Sequence, residues 1–178
     1  MKVILNDMND MAGNINDDEI NIYVDALTDI ILKQGKENIN FIGLGAGRMG
    51  YALRAFIMRL SHMGYNACMI GDTSVPRVTK NTVLFINSSS GETPSIALYV
   101  EQAKVENGIT FSTTCNPTSR IGINSDYLIT LPLIDSSQLM KSPYEQFSML
   151  LYDYIVIKLM KSLALDSKEV SNNHSILE

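Results

Sequence analysis

The chain has 178 residues, 46% hydrophobic and 19% charged, with 14 basic against 19 acidic side chains. That length gives one domain a core that stands without disulfides or metal staples, and the hydrophobic fraction excludes wholesale disorder. A formal charge of −5 with no basic block speaks against nucleic acid or an anionic membrane surface as a partner, but leaves room for a small phosphorylated ligand held by amides and hydroxyls.

Residues 1–16, rich in Asn, Asp and Met, show weak periodicity and receive no element. Asn16 is a helix N-cap, because Asp17, Asp18 and Glu19 follow it and suit the helix dipole. Ile20, Val24, Leu27 and Ile31 then mark one apolar face. Short apolar runs at 39–44, 67–70, 82–86, 109–111 and 127–131 read as strands. Helical segments separate them at 48–63, with Gly64 as its C-terminal glycine, at 94–105, and as a short turn after Thr118. Strands alternating with helices predict an α/β fold, a parallel sheet with helices on both faces. The last segment, 143–163, is apolar almost all round, with Phe147, Leu150, Leu151, Tyr154, Ile157 and Met160. Such a helix is either central or shared between subunits.

Other residue types narrow the function. No apolar run reaches the roughly 18 residues of a membrane span, and Asp7 and Asp10 stand where a signal peptide would be apolar. A cytoplasmic protein is expected. Cys68 and Cys115 form no CxxC pair and sit in or beside apolar runs, so both read as small buried hydrophobes. His62 and His174 have no second ligand at metal spacing, and neither a metal nor a cofactor is expected.

In an open parallel sheet, ligands bind beyond the carboxyl ends of the strands. The first strand-to-helix turn, Gly45-Ala46-Gly47-Arg48-Met49-Gly50, has the form GxGxxG. It admits three readings: a dinucleotide turn with Asp72 as its acidic partner, a tight turn that brings helix and sheet together, or a phosphosugar loop whose amides and Arg48 face a ligand. The turn Asn87-Ser88-Ser89-Ser90-Gly91-Glu92-Thr93-Pro94 is more telling. Thr93 as a capping hydroxyl before Pro94 explains the helix start. Three consecutive serines ahead of it remain, and hydroxyls beside the open amides of a helix N-terminus form an anion site that needs no lysine. Thr73 and Ser74, and the hydroxyl-rich stretch 112–119, are expected to line the same pocket.

These residues resemble a known family. Ser88–Thr93 is similar to the SxSGxT phosphate loop of the sugar isomerase (SIS) domain, and 45–50 to the GxGRSG loop of its 6-phospho-3-hexuloisomerase group. Arg59-Leu60-Ser61-His62-Met63-Gly64 resembles the helix end that follows there, Ser142-Pro143-Tyr144-Glu145-Gln146-Phe147 that group's FEQ helix start, and 173–178 its RHANLE tail. The sequence departs from that pattern at Met49 in place of serine, Ser89 in place of glycine and Asn173 in place of arginine. The resemblance implies a three-layer αβα sandwich around a five-stranded parallel sheet and a 2,3-keto isomerisation of a phosphorylated ketohexose through a cis-enediol. It implies Ser88, Ser89, Ser90, Gly91 and Thr93 as the phosphate site, with Gly45, Gly47 and Arg48 on the substrate and Glu145 as base. It further implies that the tail, 164–178, carries His174 into a neighbouring subunit of a homotetramer, a dimer of dimers. Glu145 also has a structural explanation, since Ser142-Pro143-Tyr144-Glu145 has the S-x-x-E form of a capping box. His62 reads as a cap on its helix dipole and Asp126 as support for the last strand. A non-catalytic phosphosugar-binding module, another aldose or ketose phosphate isomerase, and an NAD-binding oxidoreductase are the alternatives.

Overall fold

A strand that is apolar on both faces needs helices on both faces of its sheet. The computed structural model, which describes residues 1–174, has such a sheet. Its strands are β1 (Asn40–Gly45), β2 (Asn66–Met69), β3 (Thr82–Asn87), β4 (Ile109–Thr114) and β5 (Tyr127–Thr130), parallel throughout in the order β2-β1-β3-β4-β5. Alternation along the strands splits the core in two. Phe41, Val83, Phe85, Phe111 and Ile129 face α2 (Asp17–Gln34), α3 (Gly47–His62) and α6 (Ser142–Ser162). Ile42, Leu44, Leu84 and Ile86 face α4 (Pro94–Val105) and α5 (Arg120–Asn124). The expected three-layer αβα architecture is present, and central β3 is buried at every position. Among the described residues no helix is long and apolar enough to cross a membrane.

Local signals hold where they are chemical. The Asn16 side chain accepts the Asp18 amide at 3.0 Å and caps α2. Asp126 ties β5 to β4, its carboxylate accepting both the amide and the hydroxyl of Thr110 at 2.8 Å. Gly64 takes a positive φ of 85° at the end of α3, where the Tyr65 amide reaches back to the Leu60 carbonyl at 3.1 Å.

Three expectations are corrected. Residues 1–16, given no element, contain α1 (Lys2–Asn14), packed on α6. Its inward residues, Asp7 and Met11, are one turn apart. Because one of them is a carboxylate, hydropathy shows no stripe. Asp7 is buried because it accepts Ser136 Oγ at 2.7 Å and Gln138 Nε2 at 2.6 Å, pinning the loop that leads into α6. β4 runs through Ser112, Thr113 and Thr114, all fully buried, so these hydroxyls belong to the sheet and not to a pocket wall. Cys68 and Cys115 are half-buried, Cys68 on edge strand β2 and Cys115 just beyond the end of β4. Burial still pushes both thiols up.

Removing the Asp7 carboxylate leaves two half-buried donors without the charge that bonded them. Asp7→Ala is expected to cost about 2–3 kcal/mol, or roughly 4–12 °C in melting temperature for a chain of this size. Thermal denaturation checks this; a shift below about 2 °C would show that the pinned loop contributes nothing to stability.

Candidate functional site

The strand order reverses direction between β1 and β3, which lie side by side although the chain leaves β1 into α3 on one face and leaves β3 into α4 on the other. A crevice opens at such a switch point. Both glycine turn and serine loop end there, because they follow β1 and β3.

The glycine turn is built by close approach. A Cβ on Gly50 would lie 2.5 Å from the Gly45 carbonyl oxygen, and one on Gly45 would lie 3.0 Å from Gly50 Cα. Gly45 and Gly50 therefore seat α3 on the end of β1. Gly47 has a positive φ of 55° and open space around it. No side chain caps α3 at Ala46. Asp72 is occupied in its own turn, where its carboxylate accepts the Met69 amide at 2.8 Å and lies 3.4 Å from Arg54. The amide first, and then the guanidinium, hold that carboxyl below its usual range. The acidic partner required by a dinucleotide reading is thus absorbed by a turn.

The serine loop is held from beneath. The Ser88 amide donates to the Thr113 carbonyl at 3.1 Å, and the Ser89 carbonyl accepts the Cys115 amide at 3.0 Å and the Thr114 hydroxyl at 3.1 Å. Gly91, at φ 67°, packs so closely that any Cβ would strike the Ser119 hydroxyl. Thr93 sits at the N-cap of α4, but its hydroxyl makes no capping bond, contrary to expectation; it lies 3.5 Å from Ser88 Oγ. Backbone geometry and Pro94 suffice to start the helix, which leaves these two hydroxyls together at its open N-terminus. The Ser90 hydroxyl accepts the Glu92 amide at 3.2 Å and keeps its proton available for a ligand.

Glu145 is not part of a capping box. α6 opens one residue earlier than the motif implies, with Lys141 as N-cap and no capping side chain, and the Ser142 hydroxyl donates to the Leu139 carbonyl at 2.8 Å. The Glu145 carboxylate instead forms an ion pair with Arg48. Its side chain is 14% exposed, against 67% for Arg48, so an inner acid meets an outer base. Arg48, Tyr51, Ala52, Glu145, Gln146 and Met149 line a groove of about 360 Å³ between the first turns of α3 and α6. Thr73 and Ser74 are exposed in the turn after edge strand β2 and do not line that groove.

His174 lies elsewhere. Its ring packs on His62 with centroids 4.9 Å apart, and Asn173 Nδ2 donates to the His62 carbonyl at 2.8 Å. His62 ends α3, fourteen residues from Arg48; at about 1.5 Å per residue the two are about 21 Å apart along the helix. The structure thus brings together the glycine turn, the serine loop and Glu145, and leaves His174 at the opposite end of α3. Tail residues 175–178 lie outside the described residues.

Residues that the motifs did not single out hold the site together. Asn87, fully buried, donates to the Met49 carbonyl at 3.0 Å and to Ser148 Oγ at 3.2 Å, and its Oδ1 lies 2.6 Å from the Tyr144 hydroxyl. The Ser89 amide lies 3.4 Å from the Met49 sulfur. The Tyr144 hydroxyl is also 2.8 Å from the Thr113 carbonyl, and the Tyr152 hydroxyl 3.2 Å from Thr113 Oγ1. An Asn ending an apolar strand and a Tyr beginning a helix give no sign in sequence that they will meet.

Burial pushes the phenols of Tyr23, Tyr144 and Tyr152 up. The unfolded chain releases these protons near pH 10 and the folded chain does not. Their contribution to stability is therefore complete below about pH 10 and lost as pH rises toward the folded values. In an alkaline titration, these three are expected to show the tyrosinate absorbance band only together with the loss of the circular dichroism of the fold. Their ionising with the fold intact would contradict the burial.

The family model for the SIS domain matches residues 31–152. Over 98% of its length, this chain is 35% identical to a 3-hexulose-6-phosphate isomerase of Bacillus subtilis, covering 95% of that protein. It is 32% identical over 88% of its length to one of Methanocaldococcus jannaschii, covering 85% of that protein. Its fold is similar to a crystal structure from Methanococcus jannaschii for which a 3-hexulose-6-phosphate isomerase function was inferred, with a TM-score of 0.82, 28% identity, and coverage of 99% of this chain and 98% of that one.

Proposed function

This chain belongs to the SIS-domain family, and from that premise we propose that it is a phosphosugar isomerase that interconverts 3-hexulose 6-phosphate and fructose 6-phosphate. The observation that carries the reading is Glu145. It is a largely buried carboxylate that caps nothing and is paired with Arg48 in a groove at the switch point, beside a serine loop whose Ser88 and Thr93 hydroxyls meet at an open helix N-terminus.

In this reading Ser88, Ser90 and Thr93, with the amides around Ser89 and Gly91, hold the phosphate. Binding at that remote group places the reacting carbons against Glu145. Glu145 takes the proton from C2 of the 3-ketose, the C2–C3 bond becomes the double bond of a cis-enediol, and the same proton returns to C3. Meanwhile a hydroxyl proton passes from O2 to O3, so that the carbonyl moves to C2. Arg48 and the Gly47 amide stabilise the oxygen charge that develops on the way. The reaction transfers protons only and consumes no oxidant or reductant.

Supporting the assembly is the outer face of α6, where Met149, Leu150, Tyr154 and Ile157 remain exposed although the inner face is fully packed. Apolar surface of that kind suits a contact between copies, and a homotetramer built as a dimer of dimers is the proposed state. His174, about 21 Å along α3 from Arg48 of its own chain, then serves the site of a neighbouring subunit, where its imidazole assists ring opening and the O2-to-O3 proton transfer.

Three experiments test the reading. Glu145→Gln is expected to cut turnover of fructose 6-phosphate by roughly 10²–10⁴ with little change in melting temperature, while Ser90→Ala with Thr93→Val weakens binding of the same sugar in calorimetry. Wild-type turnover in Glu145→Gln would remove the base. Mixing a chain that lacks residues 172–178 with a Glu145→Gln chain is expected to restore activity that neither has alone, because one hybrid site combines an intact Glu145 with a borrowed His174. No rescue in verified mixed oligomers would refute the shared site.

A further inference from the structure

The two charged residues of the groove come from different helices, and each is adjacent in sequence to a residue bonded to the same side chain. Arg48 precedes Met49, whose carbonyl accepts Asn87 Nδ2 at 3.0 Å. Glu145 follows Tyr144, whose hydroxyl lies 2.6 Å from Asn87 Oδ1. A third bond, 3.2 Å from Asn87 Nδ2 to Ser148 Oγ, reaches α6 again, and that serine hydroxyl donates at 3.0 Å to the backbone carbonyl of Glu145 itself. A carboxamide offers two donor hydrogens and one acceptor oxygen, and here all are used. The Met49 carbonyl accepts only, which fixes which way round the amide sits.

Asn87 is the last residue of β3, fully buried, and the next residue begins the serine loop. One side chain at the switch point therefore touches three things: the first turn of α3, the first turn of α6, and through its own backbone the phosphate loop. A purely apolar packing of these helices would leave their rotation about their axes loosely set. Three directed hydrogen bonds to a fully buried side chain set it closely.

We propose that Asn87 is a positioning residue for the isomerisation: its carboxamide locks the first turns of α3 and α6 to the end of β3 and so holds Arg48 and Glu145 at a fixed place relative to the bound phosphate. The inference rests on the isomerase reading above for its kinetic consequence, but not for its structural one. Asn87 contacts no reacting atom. Its effect falls on the step for which Glu145 must be aligned, since a displacement of about 1 Å at a reacting group costs up to about 10²-fold in rate. Phosphate affinity depends on the serine loop, which keeps its own bonds to Thr113, Thr114 and Cys115.

The test uses the full chain and fructose 6-phosphate. Asn87→Leu, close in shape and without hydrogen bonds, is expected to lower kcat by about 10–10²-fold while KM changes by less than about threefold. Tyr144→Phe and Ser148→Ala, each of which removes one of the bonds from Asn87 to α6, are expected to lower kcat by smaller factors. Combined with Asn87→Leu they should lower kcat by less than the product of the separate factors, because the bond to Asn87 is already gone and only the bonds to Thr113 and Glu145 remain to be lost. If Asn87→Leu does not fold, the Tyr144→Phe and Ser148→Ala variants carry the same kcat-against-KM comparison. Hydrogen exchange supplies the readout that needs no activity: the amides of residues 48–52 and 145–149 should exchange faster in the variants, with those of β3 and α2 unchanged. Equal losses in kcat and affinity, or kcat at the wild-type value, would overturn the proposal. If wild-type protein turns over no ketohexose 6-phosphate, the isomerase reading fails, and exchange alone then decides: faster exchange confined to the two turns upholds the lock, and unchanged or uniform exchange rejects it.

Discussion

The site depends on one topological constraint, the adjacency of β1 and β3 with helices departing on opposite faces of the sheet. Because the two connections diverge, the ends of these strands are left uncovered, and whatever follows each strand faces the same crevice. The glycine turn and the serine loop are 37 or more residues apart in the chain, yet both lie one residue beyond neighbouring strand ends that pair Gly45 with Asn87. The Gly45–Gly50 contact then sets how far α3 can sink onto β1. Any side chain at either position would lift the helix and carry Arg48 away with it.

A second layer of order comes from buried polar side chains. Thr110, Ser112, Thr113, Thr114, Asn87 and Ser148 are all withdrawn from water, and each has a partner within the fold. Such groups are costly to bury unpaired and directional once paired. They make the floor of the crevice specific in a way that a floor of valines would not be. Tyr144 and Tyr152 extend from α6 into that floor, and this ties the helix that carries Glu145 to β3 and β4.

α6 has two duties, and its sequence shows both. Tyr144, Phe147, Leu151, Tyr152, Ile155 and Leu159 face the sheet. Met149, Leu150, Tyr154 and Ile157 face outward, a combination that leaves little polar surface for solvent. α1 lies along the same helix and, through Asp7, fixes the loop that enters it. The acid of the groove is thus supported from its N-terminal side by α1 and from beneath by the sheet.

The strands, the helices between them, the three layers and the two turns that end at the switch point were legible from the sequence, because they follow from hydropathy periods of two and 3.6 and from glycine, serine and proline chemistry that acts within a few residues. The chain alone did not decide what Thr93 and Glu145 do. Both fit capping motifs, and local pattern cannot tell a cap from a side chain that the tertiary structure recruits elsewhere. Arg48 draws Glu145 across the groove, and a helix start that backbone and Pro94 already define leaves the Thr93 hydroxyl for Ser88. α1 was invisible because its buried stripe contains a carboxylate, and hydropathy counts a carboxylate as surface until its partners, more than a hundred residues away, are in place. The role of Asn87 was likewise hidden, since an amide at a strand end has meaning only once Met49, Tyr144 and Ser148 converge on it. Sequence determines what each segment prefers over one or two turns; only packing decides which polar side chains meet, because a hydrogen bond requires distance and direction together and neither is encoded locally.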